Sequence, residues 1–64
     1  MWTKKNIRRL RIALGLRQEE FGALLGLSAQ RVSDLETGYR KPSGPVRILL
    51  GRLENKRKGG TINS

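Results

Sequence analysis

At 64 residues the chain has room for one domain around one small core. It holds neither cysteine nor histidine, which removes disulfides, thiolate metal sites and the commonest general base, so no cofactor, no metal and no enzymatic activity are expected. Fourteen Lys and Arg against five Asp and Glu give a formal charge of +9 and point to a polyanionic partner.

Thr3 is placed to cap a first helix, with Trp2 before it and Ile7 at the fourth helical position in hydrophobic-staple spacing. Ile7, Leu10 and Leu14 recur at helical intervals with Arg11 on the same side, and Gly15 suits the left-handed residue that ends a helix. Lys4 and Lys5 fall in the first turn, where the helix dipole disfavours cations; a nearby phosphate would ease that misfit. A second helix is predicted over 18–25, with Phe21, Leu24 and Leu25 inward and Glu19 and Glu20 in the first turn, where acids are favoured. Gly26 ends it, and Leu27 leads into Ser28, the N-cap of a third helix. Val32 and Leu35 form that helix's inner stripe, and Gly38 stops it.

Residues 39–44 read as a basic loop. Pro45 fits the first position of a fourth helix, in which Val46, Leu49, Leu50 and Leu53 follow at i, i+3, i+4 and i+7. From Asn55 onward NKRKGGTINS has a single apolar residue, so a short flexible basic tail is predicted over 55–64 behind a domain at 1–54. No apolar run approaches the roughly 18 residues of a spanning helix, and the opening residues lack a secretion signal's apolar centre; the expected location is cytoplasmic, with no membrane partner.

Residues 18–37, QEEFGALLGLSAQRVSDLET, narrow the reading. Gly22 sits four positions before Gly26, and Val32 and Leu35 follow that glycine by six and nine. A helix-turn-helix requires such a pattern: its two helices cross closely, so the crossing residue is small, and the turn takes a positive φ. The second helix is then held outward, free to enter a major groove.

The chain resembles the phage repressor and Cro family of helix-turn-helix proteins, also called the xenobiotic-response-element family, from about Ile7 to Leu53. Arg11, the LGL at 14–16, Gln18, Phe21, Gly26-Leu27-Ser28, Val32-Ser33, Leu35-Glu36, Gly38 and Pro42 carry the resemblance. The stretch PSGPVRILL at 42–50 is similar to the fourth helix of small antitoxin-type members. Two positions depart from the family: Arg17 stands where Ser or Thr usually caps the second helix, and Gly22 stands where Ala is favoured.

The resemblance implies an all-α, four-helix repressor-like DNA-binding domain and a nucleoid-associated regulator of the kind that phages and mobile elements carry. Its base-reading positions fall on Ala29, Gln30, Ser33 and Asp34. Gln30 offers a bidentate donor and acceptor to adenine, Ala29 suits a thymine methyl, and Asp34 either accepts from a cytosine amino group or orients Arg31. Gln18, Ser28, Tyr39, Arg40 and Lys41 are the expected phosphate contacts, joined by Arg31 on the flank of the third helix. Lys4, Lys5, Lys56, Arg57 and Lys58 are lesser candidates for the same role. Arg11 and Glu36 correspond to a structural ion pair linking the first helix to the third. On the fourth helix Ile48 lies opposite the apolar stripe beside Gly51 and Arg52, a candidate dimer surface.

The expected partners are therefore double-stranded DNA and a second copy of the chain. A homodimeric, autoregulatory repressor on a palindromic operator is the leading reading. The alternative is an antitoxin that neutralises a partner toxin and co-represses its operon. With no separate ligand domain, a small-molecule effector is not expected.

Overall fold

The computed structural model describes residues 2–57, which form four helices: α1 (Lys4–Ala13), α2 (Gln18–Leu25), α3 (Ala29–Thr37) and α4 (Gly44–Arg57). Each helix gives two side chains to a common core: Ile7 and Leu10, Phe21 and Leu25, Val32 and Leu35, Val46 and Leu50. Trp2, Leu14, Leu16, Leu27, Leu49 and Leu53 close around it, half-buried. With so few core residues, each element stays in place only by sharing its apolar stripe with the others. None of the described helices is long and apolar enough to cross a membrane.

The helix ends follow the capping residues. Oγ1 of Thr3 accepts the Asn6 amide at 3.2 Å, and Oγ of Ser28 accepts the Arg31 amide at 3.1 Å. α1, α2 and α3 are each followed by a glycine of positive φ: Gly15, Gly26 and Gly38. At α2 residue 17 has no hydroxyl to cap the helix, but Oε1 of Glu20 accepts the Arg17 amide at 2.8 Å. Glu20 thus supplies its own half of a capping box, while the other half, a side-chain acceptor for the Glu20 amide, is missing because an arginine has none.

The two helices of the 18–37 segment meet at Gly22. Its carbonyl accepts the Leu27 amide at 2.8 Å. A β-carbon at Gly22 would overlap the carbonyl oxygen of Leu27 and lie 3.2 Å from its carbon and 3.3 Å from the Ser28 oxygen. The positive φ of 72° at Gly26 lets the chain turn back this tightly.

Three features differ from expectation. Leu24 is 51 % exposed rather than buried, since Phe21 and Leu25 already fill the inner stripe of this short helix and Leu24 falls on the side of Glu20. α4 begins one residue earlier than Pro45 and runs to Arg57 rather than ending before Asn55. The Ser43 carbonyl accepts the Arg47 amide at 2.9 Å and opens the helix, leaving Pro45 still within the first turn. The rest of the predicted tail, Lys58 included, lies outside the described residues. Lys4, finally, lies across the end of α3: a β-carbon at Gly38 would sit 3.2 Å from its Cδ and 3.9 Å from its Nζ. α3 has no basic residue in its own last turn, and the Lys4 side chain lies beside that end, where the helix dipole favours a cation.

Candidate nucleic-acid interface

α3 is held by its buried face. Val32 is 0 % exposed and Leu35 2 %, packed against α1 and α2, which leaves the opposite side of a two-and-a-half-turn helix open. Gln30 and Arg31 are exposed there, and Ala29, Ser33 and Asp34 are half-buried. The expected base-reading residues therefore share one side of one helix, with Gln30 standing farthest out.

Gln30 and Asp34 are not independent. Nε2 of Gln30 donates to Oδ1 of Asp34 at 3.1 Å, one turn on. Oδ2 of Asp34 faces Nε of Arg40 at 3.5 Å, so this carboxylate engages Arg40 rather than Arg31. The Asp34 carbonyl also accepts the Arg40 amide at 3.1 Å and the Thr37 hydroxyl at 3.2 Å. Asp34 thereby ties the loop after α3 back to the helix while fixing the orientation of the Gln30 amide. The Gln30 carbonyl oxygen and second amide hydrogen stay available to a base edge.

The basic residues converge beside this face. Arg31, Arg40 and Lys41 line one cleft of about 300 Å³ with Leu27, Pro42 and Ser43. Tyr39 is 79 % exposed, with the Arg40 guanidinium 6.0 Å from its ring centroid. Ser28, already accepting from Arg31, keeps its hydroxyl hydrogen for an external acceptor. Gln18 is placed less freely than expected: its Nε2 donates to Oε1 of Glu36 at 3.3 Å.

That bond makes Gln18 part of the Arg11–Glu36 pair. Nε and Nη2 of Arg11 donate to the two carboxylate oxygens of Glu36 at 2.6 and 3.1 Å, and Nη1 donates to the Leu16 carbonyl at 2.9 Å. Hydrogen bonding to Glu36 raises the Arg11 pKa above its ordinary value, with the carboxylate's charge adding to it against the effect of burial. The three residues tie the ends of α1 and α3 to the start of α2. Neither Glu20's cap nor Gln18's bond was anticipated; a Glu three residues after the helix start was the available signal for the first.

The helix-turn-helix family model matches residues 7–52, most of the chain and all of this surface. The chain belongs to the helix-turn-helix family. It is a DNA-binding transcription regulator of the Cro-type branch, as the residues of the 18–37 segment had indicated. Comparison with curated proteins and with solved structures returned no match. Within a helix-turn-helix, α2 is the first helix of the motif and α3 the recognition helix.

The remaining predicted site residues lie elsewhere. Ile48, Gly51 and Arg52 are on the outer side of α4; Ile48 is 60 % exposed, and a β-carbon at Gly51 would meet nothing within 4 Å. Lys5, Lys56 and Arg57 are exposed, and Arg57 pairs with Glu54 at 2.8 Å.

Proposed function

We propose that the chain is a homodimeric repressor that binds a palindromic operator and regulates its own promoter. Two α3 helices enter successive major grooves about 34 Å apart. Gln30 reads a base edge, Ala29 and Ser33 complete the contact, and Asp34 presents the Gln30 amide to it. Gln18, Ser28, Arg31, Tyr39, Arg40 and Lys41 hold phosphates and set the register. A single module of this size carries too little surface for tight specific binding, so the second copy is required. Ile48, Gly51 and Arg52 provide its contact, because Gly51 allows a facing helix to approach closely.

One observation supports this reading above the others: the open face of α3, with Gln30 outermost, stands beside the cleft lined by Arg31, Arg40 and Lys41. That places a nearly neutral reading surface next to a cationic gripping one. Selection of bound duplexes from random-sequence DNA tests it. The expected product is an inverted repeat with half-sites about one helical turn apart. Recovery of unenriched sequence would overturn the reading. Co-purification of a second small protein that masks α4 would favour toxin neutralisation instead.

A further inference from the structure

Two helix faces have no partner among the described residues, and their charges are opposite. On α1, burial of Ile7 and Leu10 turns Lys5, Arg8, Arg9 and Ile12 to the far side, where all four are exposed and line one shallow depression. On α2, burial of Phe21, Gly22 and Leu25 turns Glu19, Glu20, Ala23 and Leu24 outward. A lone exposed aliphatic residue is ordinary. Here Ile12, 58 % exposed, stands among three cations, and Leu24, 51 % exposed, stands beside two carboxylates.

The ion pairs sharpen the contrast. Asp34, Glu36 and Glu54 are each held by an arginine, namely Arg40, Arg11 and Arg57. Of the five acids, only Glu19 and Glu20 have no ion pair among the described residues, and they are neighbours on this one face. Lys5, Arg8 and Arg9 likewise form no ion pair there.

We infer that copies of this chain associate head to tail, the outer face of α1 in one copy docking on the outer face of α2 in the next. Ile12 packs on Leu24, and Lys5, Arg8 and Arg9 ring the Glu19 and Glu20 carboxylates. The contact is heterologous, so each copy keeps one face free and a row can grow until its rotation closes it. α1 and α2 both meet α3 through their buried sides, so the two outer faces are turned away from α3, and association leaves it open. The charge of +9 opposes assembly in free solution. A duplex neutralises much of that charge, so the row forms on DNA and makes neighbouring copies bind cooperatively. This depends on DNA binding but not on the α4 dimer or on any particular operator.

The absence of cysteine makes the test clean. Ile12→Cys and Leu24→Cys are introduced singly into the full chain, at exposed positions where the fold tolerates them, as circular dichroism will confirm. The two proteins are mixed on a long random-sequence duplex under mild oxidation. The mixture is expected to yield severalfold more covalent dimer than either protein alone, and the doubly substituted chain a ladder of longer products. Glu19→Lys in the Leu24→Cys protein should lower the yield severalfold, and Arg8→Glu in the other should restore it. Retardation of the duplex on a parallel gel reports DNA binding separately. Equal yields in the mixture and the single-protein controls, or a yield indifferent to both charge reversals, would overturn the proposal.

Discussion

Arg11 and Glu36, twenty-five positions apart, are joined by two hydrogen bonds between guanidinium and carboxylate, and their side chains are only 16 % and 5 % exposed. The pair sets the end of α3 against α1, so it governs where α3 points. Removing one partner strands the other's charge away from water. Glu36→Ala or Arg11→Ala should therefore lose about 3 kcal/mol, enough to unfold much of a domain this small. Replacing both with apolar residues of similar volume should recover most of that loss. Urea unfolding of the two single variants and the double variant checks this, and additive losses would show that the pair carries no coupling.

Gly22→Ala tests the crossing of α2 and α3. In an ordinary helix the substitution stabilises by roughly 1 kcal/mol. Here the added methyl overlaps the Leu27 carbonyl, and backbone must move to make room. Overpacking of this kind costs about 1–3 kcal/mol. The expected net result is a melting temperature lowered by about 4–8 °C, read from helical ellipticity on heating. An unchanged or higher value would show that the turn adjusts freely.

How much of this was legible in the sequence depended on the range of the interaction. Thr3, Ser28, Gly26 and Gly38 act on their own turns, and their chemistry announces the helix ends. The inner stripes of α1, α3 and α4 followed from periodicity, because each is long enough to repeat. α2 is only eight residues, so periodicity did not separate Leu24 from Leu25, and the side that faces out is set by what α3 and α4 already cover. Lys4 at the end of α3 and Arg40 at Asp34 join separate segments through space. No spacing rule along the chain reaches them. On α3, the side that stands open was readable from the spacing of Val32 and Leu35, whereas the Gln30–Asp34 bond depends on rotamers that only the packed helix selects.

Gln30 and Asp34 should separate on mutation. Gln30→Ala removes the reading amide and should erase about 1–3 kcal/mol of discrimination at one base pair per half-site, with little change elsewhere. Asp34→Ala releases both the Gln30 amide and Arg40, so it should weaken binding to all duplexes as well as blur that position. Competition binding against single-base variants of the selected site distinguishes the two patterns. Matching profiles would mean that Asp34 acts only by presenting Gln30, and lost discrimination at a different base pair would mean that Asp34 itself contacts a base.

Ile48→Arg addresses the second copy. The side chain is 60 % exposed, so the substitution should leave the fold and its melting temperature nearly unchanged. If α4 forms the dimer, an arginine there places like charges across the two-fold axis, next to Arg52 of each protomer. Sedimentation should then show monomer where the unmodified chain shows dimer, and operator affinity should fall more than tenfold while non-specific binding persists. A dimer that survives the substitution would move the interface to another face.

Lys41→Ala isolates the gripping surface. Lys41 is exposed at the edge of the cleft with Arg31 and Arg40 and touches none of the α3 reading residues through a bond or ion pair. Each phosphate contact that a lysine makes releases about one counterion, so its loss should reduce the slope of log affinity against log salt by about 1 per protomer. The reduction should be the same for the selected site and for unrelated DNA, since a phosphate carries no base identity. An unchanged slope would place Lys41 off the duplex and leave the cleft to Arg31 and Arg40. A loss confined to the selected site would instead make Lys41 a reader, reaching a groove from the loop beyond α3.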